Sequence, residues 1–162
     1  MALSKADFAH LIPHRGGMSL LDRVEEFDGE TIHCTSTSHR SPHNPLRRGD
    51  ALSALAGIEY AAQAMAVHGA LLAQREGRTA ASGYLALARE VELAAERLDE
   101  VAEDLDIRAF RLAEQPDSLM YGFEIAAGGR RLLLGRVAVF FQAAGQALST
   151  RLESSASINS CK

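Results

Sequence analysis

The spacing of apolar residues changes along this chain. Residues 51–76 are apolar at almost every step: Ala51, Leu52, Leu55, Ala56, Ile58, Ala61, Ala62, Ala64, Met65, Ala66 and Val67 leave little room for charge. A run this long, rich in strong helix formers, predicts one buried helix of about 40 Å, with Asp50 as its cap and Gly77 as its stop. Elsewhere the pattern alternates. Ile32 and Cys34 lie among polar neighbours over Glu30 to Ser38, which predicts a strand, and Asp28-Gly29 ahead of it is a hairpin signal. Leu119, Tyr121, Phe123 and Ile125 share one side of another strand. Gly128-Gly129 then turns the chain, and Leu132 to Gln142 completes a hairpin. The stretch Ala86 to Asp106 has two readings. Its Ala, Leu, Glu and Arg content favours helix, whereas Leu105, Ile107, Ala109 and Leu112 fit a strand face only if the register slips.

The remaining segments punctuate these elements. Ser4, with Asp7 three residues on, caps a short helix over residues 4–11 before Pro13 and Gly16-Gly17 break the chain. Ser41 to Asp50, with two prolines, Asn44 and Gly49, reads as a loop. From about Gly145 the chain is rich in Ser and Ala without periodicity, so residues 146–162 are expected to be a disordered tail behind one domain over 1–145.

Within the apolar helical run stands Glu59. A carboxylate among such residues needs a partner, neutralisation or a task. Gln63, four residues on, projects from the same helical face. The bland alternative is a helix acid satisfied by its surroundings, because structural networks also hold perturbed carboxylates.

Composition narrows the function classes. A chain of 162 residues is large enough for a full core. The net charge of −4 argues against nucleic-acid binding, apart from local pairs at Arg47-Arg48 and Arg130-Arg131. Cys34 and Cys161 show no metal-ligand spacing and no disulfide framework, which fits a reducing cytoplasm. No apolar run reaches membrane-spanning length, and the N-terminus lacks the apolar stretch of a secretion signal.

The opening Leu11-Ile12-Pro13-His14-Arg15, followed by Ser19-Leu20-Leu21-Asp22-Arg23-Val24, resembles that of the β-hydroxyacyl-acyl carrier protein dehydratases. Glu59, Ala62 and Gln63 match the E-x-x-A-Q of their long helix. His43-Asn44-Pro45-Leu46 with Gly57-Ile58-Glu59-Tyr60 is closest to the small dehydratases of aryl polyene and related pigment synthesis. The resemblance covers roughly residues 8–142. It implies an α+β hotdog fold, in which a curved antiparallel sheet wraps a long central helix. It also implies dehydration of a 3-hydroxyacyl group on acyl carrier protein, in fatty acid or polyene-type synthesis, by a homodimer or larger assembly that needs no metal or redox cofactor. By the same resemblance His43 is the base, Glu59 the acid and Gln63 its holder. Asn44 and Gly49 lie at the substrate, with a backbone N–H between Gly49 and Ser53 polarising the thioester carbonyl. Arg15, Arg47 and Arg48 would meet the acidic carrier or its phosphopantetheine.

One departure bears on the base. The fatty acid dehydratases carry their histidine in G-H-F-P-G, whereas this loop reads His43-Asn44-Pro45-Leu46. His14 and His39 therefore stand as alternatives to His43, and His10, His33 and His68 are read as non-catalytic. Taken without the resemblance, His43 is an ordinary loop histidine, Tyr60 a packing residue and Arg47-Arg48 a solvated pair. Two other activities compete: a hotdog thioesterase, in which the helix acid activates water, and an acyl-binding partner subunit that has lost its base.

Overall fold

The computed structural model describes residues 1–141. The expected disordered tail over 146–162 lies outside them. Seven strands form one antiparallel sheet: β1 (Leu3–Ser4), β2 (Arg23–Phe27), β3 (Thr31–Ser36), β4 (Gly83–Leu93), β5 (Leu105–Gln115), β6 (Ser118–Ala127) and β7 (Arg130–Phe141). Their order across the sheet is β1-β2-β3-β5-β6-β7-β4, so β4 crosses from one side of the molecule to form the far edge. A short helix α1 (Lys5–Phe8) and a long helix α2 (Gly57–Arg75) complete the domain. Helix α2 packs on β3, β5 and β6. Its Tyr60, Ala61, Ala64, Val67 and Leu71 share one core with Ile32, Cys34, Leu105, Ile107, Tyr121, Phe123, Ile125 and Leu133.

Local chemistry explains the element boundaries. Asp7 accepts from both the backbone and the hydroxyl of Ser4, closing the cap of α1. Asp28 Oδ1 takes the amides of Glu30 and Thr31 and fixes the β2–β3 turn. At the end of α2, Gly77 has φ +64. There Gly77 N–H bonds Gln74 O and Arg78 N–H bonds Ala73 O, the paired bonds of a Schellman stop.

The long helix begins later than its composition predicts, and Asp50 is not its cap. Residues 51–53 are held extended, because Leu52 N–H bonds the Asp99 carboxylate and Leu98 N–H returns to Leu52 O. A 3-10 turn over Ala54–Ala56 follows, in which the Ser53 side chain accepts from Leu55 N–H, and α2 proper runs 19 residues from Gly57. The Arg97 guanidinium beside Asp99 holds that carboxyl down to about 2.

Ala86 to Asp106 resolves against helix propensity. Its first part is β4, paired with β7, and its last residues open β5. The register slip anticipated near Leu112 exists: β5 and β6 shift between Arg111 and Ala113. Leu105, Ile107 and Ala109 are buried, while Leu112 is exposed.

Candidate active site

Helix α2 presents Glu59 from its first turn, where the partial positive charge of a helix N-terminus favours a carboxylate. Gln63 follows four residues later, fully buried. Its amide has one consistent orientation. Oε1 accepts the Leu20 N–H at 3.0 Å, so Nε2 is the donor end. That end serves Met18 O at 2.8 Å and Glu59 Oε1 at 3.0 Å. The imidazole of His14 reaches the same carboxylate oxygen, with Nε2 3.1 Å from Oε1. His14 comes from the extended segment between two 3-10 turns, Ala9–Leu11 and Gly16–Met18, pinned by buried Ile12. Among the described residues Glu59 Oε2 has neither a hydrogen bond nor an ion pair. The carboxylate side chain is 33% exposed, so it is a partnered group open on one side rather than one sealed in the core.

A second network ties the loop before α2 to the same helix. Tyr60 OH lies 2.8 Å from Ser38 Oγ and accepts from Asn44 Nδ2 at 2.9 Å. Ser36 and Ser38 hydroxyls both donate to Leu20 O. The Leu20 backbone thus joins the two networks, with its N–H on Gln63 and its C=O on the serines. Burial pushes the Tyr60 hydroxyl up from its ordinary range, so it stays a neutral donor.

The structure brings together only part of the set expected from sequence. Glu59 and Gln63 meet as the helical spacing implies. His43 does not join them within the chain: it is exposed on the loop, and its backbone N–H bonds Ser41 Oγ. Asn44 is buried, with its amide on Ser38 O and Tyr60 OH and its Oδ1 accepting Leu46 N–H, so it braces the loop. Gly49 sits at the tip of a tight turn with φ +59, between mutually bonded Arg48 and Ala51. In the expected carbonyl-polarising range, the amides of Ala51 and Leu52 are already bound to Arg48 O and Asp99. Arg47 also turns inward. It donates to Ser41 O and Asp50 O, which leaves Arg15 and Arg48 as the exposed cations of the expected three. His39 is buried against Val101 O. His14, one of the two alternatives to His43, is the histidine that reaches Glu59. No spacing rule pointed to it, because only the tertiary fold brings the N-terminal segment over α2.

A long helix cradled in a curved antiparallel sheet defines the hotdog class. The family model described as ApeP-like, ApeP dehydratase, matches residues 6–150, and the chain belongs to that family. Among solved structures, the dehydratase heterocomplex ApeI:P from Xenorhabdus doucetiae is similar over 85% of this chain and 91% of that one, at 23% identity and a TM-score of 0.75. A hypothetical thioesterase with coenzyme A from Streptococcus pneumoniae TIGR4 aligns over 86% of this chain and 98% of its own, at 11% identity and a TM-score of 0.59. These likenesses carry the fold alone. No curated protein matches the chain significantly. Among the described residues no helix is long and apolar enough to cross a membrane.

Proposed function

We propose that the protein removes water from a 3-hydroxyacyl thioester carried on acyl carrier protein, giving the trans-2-enoyl thioester in aryl polyene or fatty acid-type synthesis. The observation that supports this is the Glu59 carboxylate on the first turn of the central helix, gripped at Oε1 and, among the described residues, unpartnered at Oε2. Dehydration moves protons and no electrons. A base takes the C2 proton, the C2–C3 double bond forms, and the C3–O bond breaks as an acid protonates the leaving hydroxyl to water. In this reading Glu59 Oε2 delivers that proton and a peptide N–H near the start of α2 steadies the enolate oxygen. His43 takes the C2 proton. No contact joins it to Glu59 within one chain, and in this reading it reaches the substrate from a partner subunit.

The test is turnover of a 3-hydroxyacyl carrier thioester, followed as enoyl absorbance. Glu59→Gln is expected to lower kcat by roughly 100- to 10,000-fold. Release of free thiol without enoyl product would replace this reading with a thioesterase. Absence of both products across short, long and aryl-conjugated chains would leave the acyl-binding partner subunit.

A further inference from the structure

Glu59 Oε1 receives two donors from its own chain, and the identity of one is fixed. Leu20 N–H requires an acceptor, so Gln63 Oε1 faces it and Gln63 Nε2 faces Glu59. Both protons of that NH2 group are then committed, one to Met18 O and one to Glu59 Oε1. With His14 Nε2 also 3.1 Å away, Oε1 is a crowded acceptor. A carboxyl proton placed there would point into two donors, whereas among the described residues Oε2 has no competing protein group. A neutral Glu59 therefore carries its proton on Oε2, and His14 donates through Nε2. The other ring nitrogen, His14 Nδ1, is enclosed and meets no partner, so it has no path to a substrate proton.

We infer that His14 is a positioning residue for the reaction proposed above, on which this inference rests. Together with Gln63 it holds Oε1 as a permanent acceptor and leaves Oε2 as the one oxygen that exchanges a proton with substrate. The frame comes from a single chain: His14 from the N-terminal segment, Gln63 and Glu59 from α2, and the Leu20 and Met18 peptides between them. His14 acts through Glu59, which distinguishes its role from that of His43.

The experiment compares wild type, His14→Ala and His14→Gln on a 3-hydroxyacyl pantetheine thioester, with melting temperatures measured alongside. His14→Ala is expected to lose about 100-fold in kcat, as a misplaced catalytic group does, with KM and melting temperature unchanged. His14→Gln, which can present an N–H to Oε1, recovers most of kcat. Wild-type kcat in His14→Ala overturns the inference. So does equal loss in both variants accompanied by a lowered melting temperature, which marks a merely structural role. Imidazole 15N spectra provide a readout that does not depend on turnover. An Nε2–H signal of His14 that moves in Glu59→Gln supports the pairing, and an unmoved signal overturns it. Wild type that turns over no hydroxyacyl thioester counts against the dehydration reading, and the 15N result then decides the pairing alone.

Discussion

At the scale of residues, a single hydroxyl joins the loop to the helix. Tyr60 OH accepts from Asn44 Nδ2, and with the Ser38 hydroxyl donating to Leu20 O, it donates onward to Ser38. Tyr60→Phe keeps the packing and removes the acceptor, leaving a buried amide proton with one partner fewer. The expected cost is about 1–2 kcal/mol of stability in urea unfolding. Asn44→Ala, which also loses the bonds to Ser38 O and Leu46 N–H, should cost more, and the double variant less than the sum, because both break the same bond. Additive losses would show that the network does not couple the loop to α2. The same residues mark how far the sequence could be read. Glu59 and Gln63 were legible because helical spacing places them together. The inward turn of Asn44 onto Ser38 O and Tyr60 OH was not legible, because nothing in a loop sequence says which side chain turns inward. His14 was legible only as a candidate, since its distance to Glu59 depends on how the N-terminal segment crosses the helix.

At the scale of elements, α2 carries polar groups on its buried side that must be paired. His68 is fully buried. Its Nε2–H donates to Asp28 O at 2.8 Å, and its Nδ1 lies 3.0 Å from Tyr121 OH. Burial holds this imidazole below its ordinary range, opposed in part by the bond to Asp28 O. The unfolded chain therefore binds a proton that the folded chain refuses. Stability is fully present above the unfolded value of about 6.5. It falls as pH drops from there toward the lower folded value. Buried His39 shifts the same way for the same leading reason. Urea melts between about pH 5 and 8 should show stability declining on the acid side, with a shallower slope in His68→Phe. An unchanged slope would locate the acid sensitivity elsewhere. The strands show why propensity failed at β4. From Ala86 the strand is rich in Ala, Leu, Glu and Arg, which favour helix, but backbone pairing to β7 outweighs differences that amount to fractions of a kcal/mol per residue. Where alternation was strict, as in β6, sequence and structure agree, because period 2 directly encodes which side faces the core.

At the scale of the whole molecule, β4 is the unfinished part. Among the described residues it is the last strand of the sheet and runs 11 residues with no neighbour on its outer side. Edge strands are normally shortened, charged or kinked. The second half of β4 has such protection in Arg89, Glu92 and Glu90, the last at φ 50. The first half carries no charge, and its one device is the register shift between Leu85 and Leu87. Tyr84, at 54% exposure, pairs with Phe140 and stacks on its ring, and Leu87 pairs with Ala138 on the same face, while Leu85 pairs with Val139 on the other. An unpaired edge with apolar side chains on both faces is a template for another strand, which a second copy supplies if its own β4 extends the sheet about a two-fold axis. Sedimentation is therefore expected to give a dimer. Leu85→Glu with Leu87→Glu places one charge on each face and should yield a folded monomer by circular dichroism. If the double variant sediments as wild type does, β4 is not the interface. The monomer also tests where the reaction is assembled. His14, Gln63 and Glu59 stay together in one chain, but His43 stands apart from them, so a site drawing its base from a partner should lose turnover when the dimer is broken. A monomer with full turnover would mean instead that one chain holds every group the dehydration needs, and His43 would give up its place as the base.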